Sequence, residues 1–262
     1  MVVRTDEPQN PTSGRRLRDD APRQRRAKRA LRLNVELLRT LLGINAGDRV
    51  LDLSGRTDDD DMRALSRIVG PAGAVYGLVP AGHTTDEHPP GSNRRMFVGE
   101  PDTLPFPHHR FDACLGVQVL ENLDSPGRAI DEMVRVCVRG GHIVVSELDW
   151  RTLLIDDEDA TAAIRDGCAA RVASPHVGGS LVSMFVDRGV RDVLVLPTTL
   201  CFRRLPEAED CLGLLEALGY ACARERLDEA GATALRRRME AADAAGAFFA
   251  SITGFVVAGT TR

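Results

Sequence analysis

Short apolar segments alternate with amphipathic ones through the first half of the chain. The apolar segments predict strands at residues 49–53, 74–78, 95–99, 111–117 and 142–147. Apolar residues spaced three and four positions apart predict helices between them, at 62–69 and 125–138. Strands that alternate with helices in this way form a parallel sheet with right-handed crossovers. The pattern therefore predicts an α/β architecture.

The second half of the chain is richer in helical periodicity. It predicts strands at 190–196 and 249–258, and helices at 157–171, 181–188, about 206–219 and about 228–245. We interpret the two strands as the sixth and seventh of one mostly parallel sheet. The helices around them are interpreted as lid insertions, at about 157–188 and 206–245.

The N-terminal segment differs in composition from the rest. Residues 1–22 mix Pro, Ser, Gly, Asp and Arg, and such a mixture cannot bury enough apolar surface to become ordered. They are predicted to form a disordered Arg-rich tail. Leucines and a valine then form an apolar stripe from residue 31 to 42, which predicts a helix. A chain of 262 residues is within reach of one sheet with inserted helices, so we predict a single domain from 23 to 262.

The composition indicates a globular protein and favours the cytoplasm as its location. Hydrophobic residues make up 43% and charged residues 27%, as in ordinary globular proteins. The sequence has no apolar run of membrane-spanning length, so no membrane partner is predicted. The beginning of the sequence is polar and lacks the apolar core of a signal peptide, which favours the cytoplasm.

Neither the cysteines nor the basic tail predicts a metal site or a nucleic-acid partner. The six cysteines contain no CxxC pair and accompany no paired histidines, so no metal site is predicted. The Arg-rich tail could contact nucleic acid or an acidic partner. It contains no aromatic residue that could stack on a base, and a solvated tail without a nucleic-acid partner is therefore the favoured interpretation.

A family resemblance rests on the segment from 104 to 150. This segment contains an LPFP turn, an FDA strand start, a VLENL helix start, a helix that ends in RV, a GG turn and an SELDW strand end. In these features it resembles the small-molecule, S-adenosylmethionine-dependent class I methyltransferases. The resemblance covers about 47–150 and extends in outline to the final strand. It implies a Rossmann-like, seven-stranded methyltransferase fold with a cofactor crevice at the carboxyl ends of the first strands.

Several positions that the resemblance assigns to the cofactor are altered here. The implied contact positions are Asp52, Ser54, Gly55, Val79, Glu100 and Val117. In the family, an acidic and an apolar residue after the first strand precede Gly-x-Gly-x-Gly. Here Ser54, Arg56 and Asp58 occupy the three glycine positions, although glycine leaves room where a Cβ would meet the ligand.

The second and third strands show further changes. Val79 stands where the family has an acid that binds the ribose hydroxyls, and valine offers no acceptor. Glu100 can replace an acid on the adenine side, but Pro101 has no N–H for the adenine edge. If each lost interaction costs about 1–3 kcal/mol, binding weakens by several powers of ten. We therefore predict that S-adenosylmethionine is not used as a methyl donor.

The substrate side of the crevice retains more polar groups. The family lines its substrate pocket with residues after the fourth and fifth strands, a group that includes Glu147 here. This implies that Gln118, Asn122, Trp150 and Arg151 bind substrate. Turn formation, helix capping and, for Trp150, lid packing are the alternatives. The predicted catalytic residues are Glu121, Asp149 and His176. Of these, His176 is the preferred general acid or base because imidazole titrates near neutral pH.

Three interpretations of function follow. In the first, an enzyme of small-molecule, secondary-metabolite biosynthesis performs a cyclisation, rearrangement or elimination without methyl transfer. No cofactor is assigned in this case. In the second, the chain is an active methyltransferase that binds S-adenosylmethionine in a modified way. In the third, it is a non-catalytic subunit that associates with a second protein chain, and a homodimer is a further arrangement that the sequence allows.

Overall fold

The computed structural model describes residues 35–54, 60–79 and 91–262 of the chain. The predicted tail at 1–22 lies outside these residues. The helices described are α1 (Val35–Leu42), α2 (Asp60–Val69), α3 (Pro126–Val136), α4 (Glu158–Arg171), α5 (Leu181–Asp187), α6 (Leu205–Leu212), α7 (Leu214–Ala223) and α8 (Glu229–Ala244). The strands described are β1 (Arg49–Asp52), β2 (Ala74–Val79), β3 (Arg94–Val98), β4 (Phe111–Val117), β5 (Cys137–Leu148), β6 (Leu154–Ile155), β7 (Arg191–Phe202) and β8 (Ala250–Thr260).

The strands form one sheet in the order β3-β2-β1-β4-β5-β8-β6, and β7 also pairs with β8. Strands β1 to β5 are parallel, whereas β8 runs antiparallel to β5 and β7. Ser251 of β8 lies opposite Leu154 of β6 and also opposite Cys201 of β7, so these strands flank β8 on its two sides. The predicted α/β fold with a mostly parallel sheet is confirmed, and the two-residue β6 adds an eighth strand.

Apolar packing covers both faces of the sheet. Leu115 of β4 belongs to a cluster with α1 and α2, whereas its neighbour Cys114 belongs to a cluster with α3 and α5. Successive strand residues point to opposite faces, so helices lie on each side. Fully buried side chains such as Met133 and Phe185 each contribute about 1.5–3 kcal/mol to folding.

A third apolar cluster joins helices α4, α6, α7 and α8 to the last strands of the sheet. Ile164 of α4, Leu218 of α7 and Met239 of α8 pack there with Ile252 of β8. These four helices therefore share one core next to β6 and β8. None of the helices that the structure describes is both long enough and apolar enough to span a membrane.

Element boundaries differ from the prediction at three places. The helix predicted at 206–219 is two helices, because Gly213 adopts a left-handed conformation (φ 67°) that ends α6. The helix predicted to reach residue 138 ends at Val136, and β5 begins at once with Cys137 rather than at residue 142. Strand β7 continues to Phe202 instead of 196, because its pairing with β8 extends that far.

Candidate functional site

The predicted site lies where parallel strands end at one edge of the sheet. Asp52 ends β1 and is in register with Leu115 of β4, which lies two residues before the end of that strand at Val117. Val117 is in register with Ser146 of β5. Carboxyl ends of parallel strands form the usual binding crevice of open α/β sheets. The residues predicted after these strands therefore share one edge.

Ser54 links the ends of β1 and β4. The buried Asp52 carboxylate accepts hydrogen bonds from the Ser54 backbone N–H at 2.9 Å and from its hydroxyl at 2.5 Å. The Ser54 hydroxyl in turn accepts the Val117 N–H at 3.3 Å. The serine side chain thus occupies the space between the two strand ends. Gly55 and the altered glycine positions 56 and 58 lie outside the described residues.

Val79 at the end of β2, and Glu100 and Pro101 after β3, occupy positions where the resemblance implies contacts with an adenosyl cofactor. Val79 is buried, and its carbonyl accepts the Gly99 N–H at 3.0 Å. Glu100 is exposed, forms a bridge with Thr103 and precedes Pro101, which has no N–H. Among the described residues, position 79 therefore supplies no side-chain acceptor for ribose, and position 101 no donor for adenine.

Gln118 turns the chain sharply at the end of β4. It is buried and adopts a positive φ of 51°, a conformation that costs a residue other than glycine about 1–3 kcal/mol. Its N–H donates to the Ser146 carbonyl at 2.9 Å, and its carbonyl accepts the Asn122 side-chain amide at 3.4 Å. Asn122 thus supports the turn. Strained backbone of this kind is common at functional sites.

Glu147 fixes the turn that follows Gln118. Its buried carboxyl accepts the N–H groups of Val119, Leu120 and Glu121 at 2.9, 2.8 and 3.4 Å. Burial, and after it the charge of Glu121, raises the pKa of Glu147 to about 8. The family resemblance places Glu147 beside the substrate pocket but does not predict that its carboxyl holds this turn. An acid close to the apolar run at residues 143–145 of the same strand was the available signal.

Glu121 and Trp150 belong to a buried network rather than to an open crevice. The indole N–H of Trp150 donates to the Glu121 carboxylate at 3.0 Å. The Arg171 guanidinium lies over the indole ring, 5.1 Å from its centroid, and donates to the Leu212 carbonyl at 3.0 Å. Only 3% of Trp150 is exposed. The ring packs between the sheet and the insertions, and this placement does not support its predicted contact with a substrate.

Asp149, Arg151 and His176 come together after β5. The Asp149 carboxylate accepts Arg151 Nε at 3.0 Å, Arg151 Nη2 at 2.5 Å and the Gly179 N–H at 2.8 Å. Burial opposes ionisation of Asp149, but these bonds outweigh it and lower the pKa of the carboxyl. His176 Nδ1 lies 4.0 Å from Asp149 Oδ1, and about half of the imidazole is exposed. The three side chains thus form one polar cluster after the end of β5, with Asp149 at its centre.

A family model and two related proteins are similar in sequence to this chain. A family model described as a methyltransferase domain matches residues 80–145. A 37.1 kDa protein of transposon TN4556 from Streptomyces fradiae is 30% identical over 225 residues, 82% of this chain and 63% of the relative. The ubiquinone/menaquinone biosynthesis C-methyltransferase UbiE of Hahella chejuensis is 34% identical over 118 residues, 42% of this chain and 47% of the enzyme. The chain thus spans less than two thirds of either relative's length.

Solved structures share the fold. The YcgJ protein of Bacillus subtilis superposes with a TM-score of 0.57 at 15% identity, over 87% of this chain and 97% of that protein. The [4+2]-cyclase SpnF superposes with a TM-score of 0.50 at 16% identity, over 87% of this chain and 79% of the cyclase. The sheet order and these superpositions show that the chain has a Rossmann-like methyltransferase fold, and the family model and the UbiE relative show that parts of its sequence are similar to methyltransferases.

Proposed function

We propose that this chain is an enzyme of small-molecule, secondary-metabolite biosynthesis whose reaction is not methyl transfer. The reaction would be a cyclisation, rearrangement or elimination at the carboxyl edge of the sheet. The observation that carries the proposal is Val79, a buried apolar side chain at the end of β2 where the family has a ribose-binding acid. Two ribose hydroxyls would lose their acceptor at this position.

Two further features weaken the same cofactor contacts. Pro101 removes a donor beside the adenine position. The Asp52 carboxylate already accepts two hydrogen bonds from Ser54, and the Ser54 side chain lies between the ends of β1 and β4. Each unmade contact with a buried polar group costs about 1–3 kcal/mol, so the combination lowers the affinity by several powers of ten.

The remaining polar groups support proton transfer on a bound molecule. About half of the His176 imidazole is exposed, and its Nδ1 lies 4.0 Å from Asp149 Oδ1, so the ring is accessible to a bound molecule beside a carboxylate. Arg151 presents a guanidinium that Asp149 orients. Gln118 and Asn122 shape the neighbouring turn. We propose His176 as the general acid or base and Arg151 as a substrate-binding residue, with Asp149 as the group that positions both.

Methyl transfer is the second candidate function. It is favoured by the sequence match to UbiE C-methyltransferases and by the methyltransferase family model. In that case S-adenosylmethionine is the cofactor and is bound in a modified way, without a ribose acceptor from Val79 or an N–H from Pro101.

Calorimetric titration of the full chain with S-adenosylmethionine and S-adenosylhomocysteine separates the two candidates. We expect no binding at micromolar ligand concentrations. A micromolar Kd, or an adenosyl compound that co-purifies with the protein in mass spectra, would refute the non-methylating proposal and support methyl transfer.

A substitution tests the contact on which the proposal depends. We expect Val79→Asp to strengthen S-adenosylhomocysteine binding about tenfold, since a restored acceptor contributes about 1.4 kcal/mol. Val98→Asp is the matched control, because Val98 pairs with Val79 in the adjacent strand but is 48% exposed. Equal affinities of the two variants would show that position 79 does not limit cofactor binding.

A further inference from the structure

A cluster of one tyrosine and two arginines lies away from the site described above. Tyr76 is in β2 and Arg95 is its register partner in β3, whereas Arg110 directly precedes β4. The carboxyl end of β2 is three residues further along the strand, at Val79, roughly 10 Å away. The cluster thus lies toward the amino edge of the sheet.

Both guanidinium groups are bonded to the same phenol oxygen. The Tyr76 hydroxyl accepts Arg95 Nη1 at 3.4 Å and Arg110 Nη2 at 3.1 Å. Each guanidinium carbon also lies 5.6 Å from the centre of the Tyr76 ring. A hydroxyl oxygen has two lone pairs, so it can accept both bonds. The two positive charges are therefore held as neighbours.

Aromatic packing fixes the tyrosine that holds them. Phe97 stacks on the Tyr76 ring at 5.7 Å, and Phe111 and Phe106 meet it edge-on at 5.1 and 6.2 Å. Tyr76 is only 3% exposed, so the ring has little freedom. The hydroxyl group and the arginines bonded to it are thus positioned before any ligand arrives.

Among the residues that the structure describes, no carboxylate balances the charges of this cluster. Within residues 35–54, 60–79 and 91–262, neither Arg95 nor Arg110 forms an ion pair with a carboxylate. Asp112, the acid closest to Arg110 in sequence, accepts the Arg49 backbone N–H at 2.8 Å. Glu132 on α3 is bonded to Arg135. Two adjacent cations without a counter-charge attract an anion.

We propose that Arg95, Arg110 and Tyr76 form a binding site for the phosphate group of a small phosphorylated molecule. A guanidinium carries five N–H donors in a planar fork that matches phosphate oxygens, and each arginine uses one on Tyr76. Arg95 is exposed and Arg110 is half-buried, so an anion can reach both from solution. The site is separate from the reaction proposed at the carboxyl edge.

The test measures phosphate binding by ³¹P NMR at constant ionic strength. Inorganic phosphate and ribose 5-phosphate are titrated against the full wild-type chain and the variants Arg95→Gln and Arg110→Gln. We expect each variant to bind both ligands at least tenfold more weakly. The control Arg226→Gln removes an exposed arginine between α7 and α8 and should leave binding unchanged.

A third variant separates the positioning of the two arginines by Tyr76 from the effect of their charges. Tyr76→Phe keeps the ring but removes the shared hydroxyl, so affinity should fall by a smaller factor, about threefold. Equal phosphate affinity in wild type, Arg95→Gln and Arg110→Gln would overturn the proposal. So would a single-stranded oligonucleotide that binds through the same two arginines while ribose 5-phosphate does not, because the site would then recognise a nucleic-acid backbone.

Discussion

The Glu147 carboxyl holds its proton more tightly in the folded chain than in the unfolded one. Burial, and then the charge of Glu121, raises its pKa from 4.5 to about 8. The unfolded chain releases this proton near pH 4.5, so the folded state binds more protons than the unfolded state from about pH 5 to 8. Its contribution to stability is therefore present at low pH and decreases as the pH rises through this range.

A neutral replacement should remove that pH dependence. Glu147→Gln resembles the protonated acid and keeps an acceptor for the N–H groups of the turn. We expect the Tm of wild type to fall by several degrees more than that of Glu147→Gln between pH 5 and 8, measured by circular dichroism. Glu229→Gln, at an exposed site, should follow wild type. Parallel curves for wild type and Glu147→Gln would contradict a raised pKa.

At the scale of single residues, sequence reasoning identified part of the candidate site. The family resemblance pointed to Asp149 and Arg151, and the titration range of imidazole pointed to His176. The structure brings these three residues together although His176 is distant in sequence. The resemblance placed Glu147 beside the substrate pocket but did not reveal that it holds the turn after β4, because that role depends on backbone N–H groups of another strand end. Contacts of this kind leave no spacing pattern in the sequence.

At the scale of elements, the close approach of α4 and α7 depends on Gly167. A Cβ at this position would collide with the backbone carbonyl of Ala217. We expect Gly167→Ala to force the helices apart and to lower the free energy of unfolding by about 1–3 kcal/mol. Urea denaturation of the purified variant measures this change.

Gly219 in α7 provides the matched control. A Cβ there meets no atom within 4 Å, so Gly219→Ala gains helix propensity without a collision. It should stabilise the protein by about 0.5–1 kcal/mol. Equal effects of the two substitutions would show that the contact at Gly167 does not limit the packing of α4 on α7.

The elements themselves were predictable where periodicity was regular. The strands from β1 to β4 and helices α3 and α4 lie within a few residues of their predicted bounds. The two-residue β6 was too short to produce a pattern, and its existence depends on β8 as a partner. The break at Gly213 was missed because apolar residues continue on both sides of it.

At the scale of the whole molecule, the fluorescence of Trp150 is a probe of the packing between the sheet and the helices α4, α6, α7 and α8. It is the only tryptophan in the sequence, and it packs in the cluster that joins α4 and α7 to β8. Because this cluster is continuous with the last strands, we expect sheet and insertions to unfold together. Urea transitions followed by tryptophan fluorescence and by far-ultraviolet circular dichroism should coincide. A fluorescence transition at lower urea would show that the insertions unfold first.

The position of β8 has a consequence for synthesis of the protein. It lies between β5 and β7 but follows both in sequence, so the ribosome makes it after the two strands that it joins. Until residues 250–260 emerge, the nascent chain exposes two unpaired strand edges, which are sites of aggregation. Translation that stops before β8 therefore yields a chain that needs chaperones or degradation.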